Sequence, residues 1–382
     1  MNTILSLLTG MMLAVPASGI NDFAFNLYRS LNSESPETNI FISPLSASTA
    51  IALLNSGAEG TTSEEICGML GFEGQSSKEI DNFYKSLNGK ISAADPSSRF
   101  ESANSIWVSK DIHLKGNYVS RACKFYDAKV SGVDFSSYSS VDAINRWCSD
   151  KTEGKIHKII REPDPNLKLM LVNALYFKAA WNFSRFPIVK EETFRRMGGA
   201  ESPQKMMYKD GKFFYAKDDI FSIIEIPYGN GTFAMYILLP EDESEEGFRS
   251  AVEAVTADRW DSLTGMMSKK EVHLAIPKFK IEYEALMNDA LMSLGMMTAF
   301  TPAADLSGIS SAPLMVSFVK QKACLDVNEE GTEAAAVTSI GIKLTSMRQE
   351  EEPVIFRADR PFIFTICDRS TGAVLFIGQK VQ

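Results

Sequence analysis

The 382-residue sequence predicts an α+β chain, and three observations carry that expectation. Through the first third, apolar residues recur at three- and four-residue steps, the period of helices with one buried face. From about residue 167 the pattern changes to short, nearly continuous apolar runs, which suit strands covered on both faces. No composition break, internal repeat or low-complexity tract separates the two regimes, so residues 20–382 are expected to form a single domain. Residues 1–19 stand apart as an N-terminal apolar segment.

Within that segment Ile4 to Val15 form an apolar run, and Val15-Pro16-Ala17 suits a small-residue cleavage site. No Lys or Arg precedes the run, so the hydrophobic start of the first helix fits these residues as well as a signal peptide does. A secreted or periplasmic location is the first expectation, and a cytoplasmic one the alternative. The run is too short for a transmembrane helix, and nothing later qualifies.

Ile20, Phe23, Ala24, Leu27, Tyr28 and Leu31 mark the first amphipathic helix. Ser43-Pro44 reads as a helix start, with serine as N-cap and proline in the first helical position. Thr62-Ser63-Glu64-Glu65 reads as a capping box, and Gly71 as the stop of that helix. Strands are expected at Leu169 to Phe177, Phe221 to Tyr228, Phe233 to Leu239, Glu271 to Tyr283, Leu314 to Val327, Pro361 to Cys367 and Ala373 to Val381. Helical spacing returns over Glu284 to Leu294.

With 45% hydrophobic and 23% charged residues the chain can bury a sizeable core. Its 39 basic and 48 acidic residues leave a net charge of −9, which argues against nucleic acid or an anionic membrane as partner. Cys67, Cys123, Cys148, Cys324 and Cys367 are scattered, odd in number and without metal-ligand spacing, so they read as small buried hydrophobes. The acidic clusters Glu241-Asp242-Glu243 and Glu350-Glu351-Glu352 read as solvated loops.

Catalytic chemistry finds little support. His113, His157 and His273 are isolated, and no zinc-protease, phosphate-loop or nucleophile-elbow motif occurs. No metal or cofactor is expected. Ser317-Phe318-Val319-Lys320 matches the S-x-x-K pattern of penicillin-binding proteins and β-lactamases, but it lies in a strand-like rather than a helix-start setting. The partner motifs of those enzymes are absent, since Ser149-Asp150-Lys151 departs from one and the other does not occur.

The least ordinary segment is Asn328-Glu329-Glu330-Gly331-Thr332-Glu333-Ala334-Ala335-Ala336-Val337-Thr338-Ser339. It follows an apolar strand, and the next expected strand opens only at Pro361, a connection far longer than compact domains use. Its Ala, Val and Thr content, free of proline, is that of a segment able to enter a sheet. A loop of that kind lying outside a sheet points to a moving part.

These residues resemble the serpins, the serine protease inhibitor superfamily, from about Asn21 to the C-terminus. The resemblance rests on Phe23 to Tyr28, Asn39 to Ser46, Asn173 to Trp181, Ala304 to Gly308, Phe356 to Phe362 and Thr371 to Gly378, in the expected order. It implies a fold of about nine helices and three β-sheets, with a reactive-centre loop spanning about residues 329–354. Glu329, Glu330, Gly331, Thr332, Glu333, Ala334, Ala335 and Ala336 match the family's hinge. In inhibitory members a protease attacks the loop and forms its acyl-enzyme. The cleaved loop then inserts into the main sheet, and the protease is trapped in a 1:1 covalent complex. Serpins are themselves the usual example of stored strain released by loop insertion. The implied protein is a monomer able to form loop-sheet polymers, and not an enzyme.

The residues suit that physics. Strand side chains alternate between faces, so Thr332, Ala334, Ala336, Thr338 and Ile340 would share one side, and all but Ile340 are small. A charge in that row would be buried unpaired, at a cost of several kcal/mol. The resemblance further implies a sheet-opening region of Ser43, Ser46, Asn173, Trp181, Lys278 and Gln321, with a Lys278–Glu329 salt bridge. Gln321 stands where most members carry a histidine, and Arg360 replaces another histidine of the C-terminal signature. The family spacing places the scissile bond at Thr345-Ser346, fourteen positions after Gly331, with Lys343, Leu344 and Arg348 as alternative specificity residues. A small β-branched residue there suits elastase-like or subtilisin-like proteases, and Leu344 a papain-like cysteine protease. The alternatives are a non-inhibitory member with a binding or chaperone role, and the S-x-x-K hydrolase.

Overall fold

A computed structural model describes residues 17–332 and 352–382. Among these residues the chain forms nine α-helices, one 3-10 turn at Thr298–Phe300 and fifteen strands. Helices α1 (Ala17–Glu34), α2 (Pro44–Asn55), α3 (Gly60–Leu70), α4 (Ser77–Ala93), α5 (Gly116–Tyr126) and α6 (Tyr138–Lys151) fall in the first half, with α7 (Glu245–Ala254), α8 (Ala257–Met266) and α9 (Asn288–Ser293) later. The early strands are β1 (Ile40–Ile42), β2 (Arg99–Ser109), β3 (Lys129–Val133), β4 (Leu169–Ala180) and β5 (Ile188–Arg195). They are followed by β6 (Glu201–Lys217), β7 (Phe221–Pro227), β8 (Phe233–Pro240), β9 (Ser268–Pro277) and β10 (Phe279–Leu286). The last are β11 (Phe318–Asn328), β12 (Gly331–Thr332), β13 (Val354–Arg357), β14 (Phe362–Asp368) and β15 (Val374–Lys380).

Local chemistry accounts for the helix ends. Ser43 caps α2, its hydroxyl accepting from the Ser46 amide, and Pro44 occupies the first turn where no intrahelical donor is needed. Gly71 ends α3 at φ 74°, a conformation glycine adopts without steric cost. The capping box expected at Thr62 is not one. The helix starts earlier, at Gly60, and the Thr62 hydroxyl instead accepts from the Asp305 amide while the Glu65 carboxylate holds the Met297 and Thr298 amides. The box with the same spacing is Ser76 with Glu79, at the start of α4.

One sheet has six strands in the order β10-β11-β12-β4-β2-β3, and β11 also pairs directly with β4, in parallel. The other has nine, in the order β1-β15-β14-β8-β7-β6-β9-β13 with β5 added on β6. Strand β6 pairs with β5 and β9 along most of its length and with β7 only over its last residues. It therefore joins two lobes, so the three sheets implied above appear as one separate sheet and two lobes of a second. The two sheets pack face to face through Leu175, Phe177, Ala323, Leu325 and Val327 on one side and Ile224, Ile226, Ile237, Phe364 and Leu375 on the other. Helix α6 covers the outer face of the six-stranded sheet, with Ile144 and Cys148 in the same buried cluster as Trp107, Met170 and Val172.

Several expectations need correction. Strand β2, which lies between β4 and β3, falls in the stretch read as helical. The run from Glu271 to Tyr283 splits after Pro277 into β9 and β10, which belong to different sheets. Helix α9 begins only at Asn288, because β10 continues through Leu286. Strand β13 precedes Pro361, so the long connection ends sooner than expected. Cys148 and Cys367 are buried and burial pushes each thiol up to about 12, but Cys123 is exposed. Glu241 and Glu243 are not merely solvated: Glu241 accepts from Lys217 and Ser222, and Glu243 pairs with Arg195. Nor is His273 isolated, since its Nδ1 lies 2.6 Å from an Asp210 carboxylate oxygen. No described helix is long and apolar enough to cross a membrane.

Candidate functional site

The site lies where β11 and β4 part company. Over Phe318 to Cys324 the two strands pair directly with Met170 to Tyr176, and beyond that point the two-residue strand β12 sits between them. Thr332 is opposite Val327 on one side and Ala179 on the other, and Gly331 is opposite Asn328 and Ala180. The sheet is thus a wedge, open at one end and closed below. The hinge is not wholly outside the sheet, as the sequence implied, because Gly331 and Thr332 already occupy the gap.

Each residue here has a definite role in holding the wedge. Gly331 has φ 147°, and a Cβ added to it would meet the Ala179 carbonyl oxygen at 2.3 Å, so only glycine fits. Thr332 is fully buried, its hydroxyl 2.8 Å from the Tyr228 hydroxyl. Trp181 stacks on Tyr228 with ring centroids 4.5 Å apart, while its indole N–H donates to the Asn328 carbonyl at 3.0 Å and its amide to the Glu330 carbonyl at 3.0 Å. The Phe186 amide donates to the Glu329 carbonyl at 2.8 Å. Lys278 Nζ lies 2.7 Å from Glu329 Oε2. That lysine, by its hydrogen bond, holds the Glu329 carboxyl below its ordinary range. Burial pushes the Tyr228 phenol up, so it stays protonated and able to donate.

Just below the wedge a second cluster seals the strands. The residues of β11 alternate, and Gln321 falls in the inward row with Val319, Ala323, Leu325 and Val327. Its Oε1 accepts from the Ser43 amide at 2.8 Å, and its Nε2 donates to the Ser43 carbonyl at 3.0 Å and to Asn173 Oδ1 at 2.7 Å. Asn173 in turn donates to Asn104 Oδ1 at 2.7 Å and to the Ser46 hydroxyl, which contacts Ser102. The Ser43 hydroxyl donates to the Leu375 carbonyl at 2.6 Å. The network ties β11, β4, β2, α2 and β15 together with uncharged groups, and both amide donors of Gln321 and of Asn173 are used. A buried network satisfied in this way is stable as it stands, and opening it exposes every member at once.

The structure therefore brings together Ser43, Ser46, Asn173 and Gln321 in one cluster and Trp181, Lys278, Glu329, Glu330, Gly331 and Thr332 in another. Glu333, Ala334, Ala335, Ala336, Thr338, Ile340, Lys343, Leu344, Thr345, Ser346 and Arg348 lie outside the described residues, as do residues 1–16. Sequence reasoning missed Tyr228, Asn104 and Ser102. Asn104 and Ser102 sit on the strand that was not anticipated, and Tyr228 closes a strand without any motif to single it out. The S-x-x-K pattern dissolves. The Ser317 hydroxyl accepts from the Lys168 amide at 3.0 Å, whereas Lys320 Nζ is held by Glu284 at 2.8 Å and the Ile159 carbonyl at 3.0 Å.

A sequence profile described as Serpin (serine protease inhibitor) matches residues 18–382. The chain belongs to the serpin family. It is 36% identical over 380 residues to leukocyte elastase inhibitor A of Rattus norvegicus, covering 94% of this chain and 96% of that one. Among solved structures it is similar to the thermophilic serpin tengpin in its native state, with a TM-score of 0.87 and 29% identity over 96% of this chain and 94% of that one. It is similar also to thyroxine-binding globulin in complex with thyroxine, with a TM-score of 0.86 and 28% identity over 96% and 98% of the two chains. The α+β serpin fold expected from the sequence is the one observed, and this serpin is not an enzyme.

Proposed function

We propose that this serpin inhibits proteases as a suicide substrate. A protease's serine hydroxyl attacks the Thr345 carbonyl carbon, the bond to Ser346 breaks, and an ester joins the inhibitor to the enzyme while Ser346 gains a free amino group. The freed loop then enters between β11 and β4 before water can hydrolyse the ester. The observation that carries this reading is Thr332, already seated in that gap with both neighbours paired, so that insertion extends an existing strand rather than nucleating one. Extension requires seven residue pairs, Phe318–Met170 to Cys324–Tyr176, to separate, and the Gln321–Asn173 contact is among them. The residues of the inward row that come next, Ala334, Ala336 and Thr338, are small, which supports entry.

The fold alone does not decide the matter, since thyroxine-binding globulin shares it. The hinge favours inhibition: a non-inhibitory binding or chaperone role has no use for a position that only glycine fits, beside a row of alanines. The target is a serine protease of elastase-like or subtilisin-like specificity, with a papain-like cysteine protease second. The named activity of the rat relative points the same way. Glu329 with Lys278, and the Gln321 cluster, act as successive catches on insertion, and the free protein is a monomer. The apolar run Ile4 to Val15 supports export, and sequencing the N-terminus of protein recovered from cell fractions tests it; an intact Met1 in the cytoplasmic fraction supports the cytoplasmic alternative.

Intact-mass measurement after incubation with pancreatic elastase, subtilisin and papain tests the inhibitory reading. An adduct with one protease and a released peptide beginning at Ser346 are expected. Cleavage by all three without any adduct contradicts it.

A further inference from the structure

Tyr228 opens the turn between β7 and β8, and two anchors hold that turn in place. On the β4 side the Gly229 amide donates to the Ala180 carbonyl at 2.8 Å, and Asn182 Nδ2 donates to the Gly229 carbonyl at 2.7 Å. On the other side stands Asp95, in the loop between α4 and β2. Its Oδ2 accepts from the Asn230 amide at 3.1 Å, while Asn230 Nδ2 donates to the Ala94 carbonyl at 3.2 Å. The turn lies hard against the carboxylate, since a Cβ on Gly229 would come within 2.0 Å of Asp95 Oδ2.

Asp95 is only 3% exposed, and a buried carboxylate is costly unless donors surround it. The Ser97 amide and hydroxyl donate to Oδ1 at 2.9 and 2.7 Å, and the Ser98 hydroxyl joins the Asn230 amide on Oδ2, at 2.7 Å. Burial pushes the carboxyl up, but the hydrogen bonds from Ser97, Ser98 and Asn230 outweigh it and hold the group below its ordinary range. It therefore stays charged at neutral pH, and charge-assisted bonds of this kind are roughly twice as strong as neutral ones. Both oxygens act as acceptors, so an amide in the same place would turn an N–H toward other donors. Three of the four bonds stay within the loop of Asp95, and the fourth reaches the turn. Asn230 is two residues from Tyr228, whose hydroxyl lies 2.8 Å from that of Thr332.

We infer that Asp95 is a positioning residue for loop insertion and acts on the hinge through Tyr228. It fixes the turn, and the turn holds the Tyr228 ring on Trp181 and its hydroxyl at Thr332. The slot where insertion starts is thereby preformed by a residue outside both parting strands. Without that anchor the slot loosens, insertion slows, and more of the ester is hydrolysed. The inference rests on the inhibitor reading above and adds to it a control point remote from the loop.

The test uses the full chain, pancreatic elastase as probe, and the variants Asp95→Ala, Tyr228→Phe and their combination. Stoichiometry of inhibition is measured, together with hydrogen exchange at the Trp181 amide, which bonds the Glu330 carbonyl of the hinge. We expect Asp95→Ala to raise the stoichiometry at least threefold with the rate of first cleavage unchanged, and to speed that exchange at least tenfold. Because Asp95 acts through the Tyr228 hydroxyl, adding Asp95→Ala to Tyr228→Phe should change the stoichiometry by less than about 1.5-fold. A full multiplication of the two effects makes Asp95 a general stabiliser and overturns the inference, as does a stoichiometry for Asp95→Ala within about 1.5-fold of the parent. If Asp95→Ala does not fold, Asp95→Asn, which keeps the shape and one acceptor oxygen, runs the same cycle and is read in the same way. A parent that forms no covalent complex, with exchange still faster in the Asp95 variant, removes the inhibitor reading and leaves Asp95 as the anchor of the hinge. No complex and unchanged exchange remove both.

Discussion

Replacing Thr332 by arginine strikes the step on which inhibition depends. Thr332 is fully buried between β11 and β4, and its hydroxyl bonds the Tyr228 hydroxyl. An arginine there either carries an unpaired charge into the sheet, at several kcal/mol, or leaves the slot and strands the Tyr228 hydroxyl, at about 1–3 kcal/mol. In the intact protein the arginine can leave the slot, whereas a fully inserted loop must carry it between β11 and β4, so the inserted state loses about 5 kcal/mol relative to the intact one. If half of that reaches the insertion barrier, insertion slows by roughly 70-fold, since each 1.36 kcal/mol is a factor of ten. Hydrolysis of the ester then wins, and the protein becomes a substrate. The assay is titration of pancreatic elastase with each form, read as the stoichiometry of inhibition and as covalent complex on denaturing gels. We expect the stoichiometry to rise from near one to well above ten, with the rate of first cleavage unchanged, because Thr332 is thirteen residues from the proposed bond. An unchanged stoichiometry refutes the reasoning.

Other perturbations follow from the same contacts. Gln321→Ala deletes three buried hydrogen bonds and orphans the Ser43 amide and Asn173 Oδ1, while the Ser43 carbonyl keeps its bond from the Ala47 amide, a loss of about 3–5 kcal/mol. With an unfolding entropy of about 0.8 kcal/mol/K for this length, the melting temperature should fall by roughly 4–6 °C, and polymers on native gels should form faster. The Lys278–Glu329 contact gives a pH dependence. The Glu329 carboxyl is depressed in the folded state, so its contribution is present above the unfolded value near 4.3 and lost as pH falls through the lower folded value. Polymerisation should therefore accelerate on acidification below about pH 4, and Lys278→Ala should show the faster rate already at neutral pH with a weaker acid response. Because the Gln321 cluster holds no titratable group, Gln321→His should introduce a new loss of stability as pH falls through about 6.5, measured by thermal melting.

The parts of this fold that were legible in the sequence are those where one signal dominated. Leu169 to Phe177 is apolar at every position but Asn173, because the strand is covered on both faces, and that lone Asn is the residue the Gln321 cluster needs. Ser43-Pro44 and Gly71 were legible because capping chemistry is local. Strand β2 was not, since Arg99 to Ser109 mixes polar and apolar residues without a period of two, and its partners come from β4 and β3, farther along the chain. Thr62 misled for the converse reason: its hydroxyl was claimed by Asp305, more than two hundred residues away. In the site, the family resemblance brought Lys278 and Glu329 together correctly, while nothing near Tyr228 in sequence foretells that it meets Thr332. The entry of Gly331 and Thr332 into the sheet was equally out of reach, since it depends on how far β11 and β4 have separated.

Thermal unfolding of the protein before and after a single cut in the loop bears most directly on whether the chain stores strain that insertion releases. Thirteen residues after Thr332, each adding about 1 kcal/mol net on joining the sheet, give roughly 13 kcal/mol, which at about 0.8 kcal/mol/K is a rise of about 16 °C. That rise, with cleavage mapped by mass to residues 343–348, is the expected result. A cleaved protein that melts at the temperature of the intact one contradicts it, because the freed loop has then stayed outside the sheet.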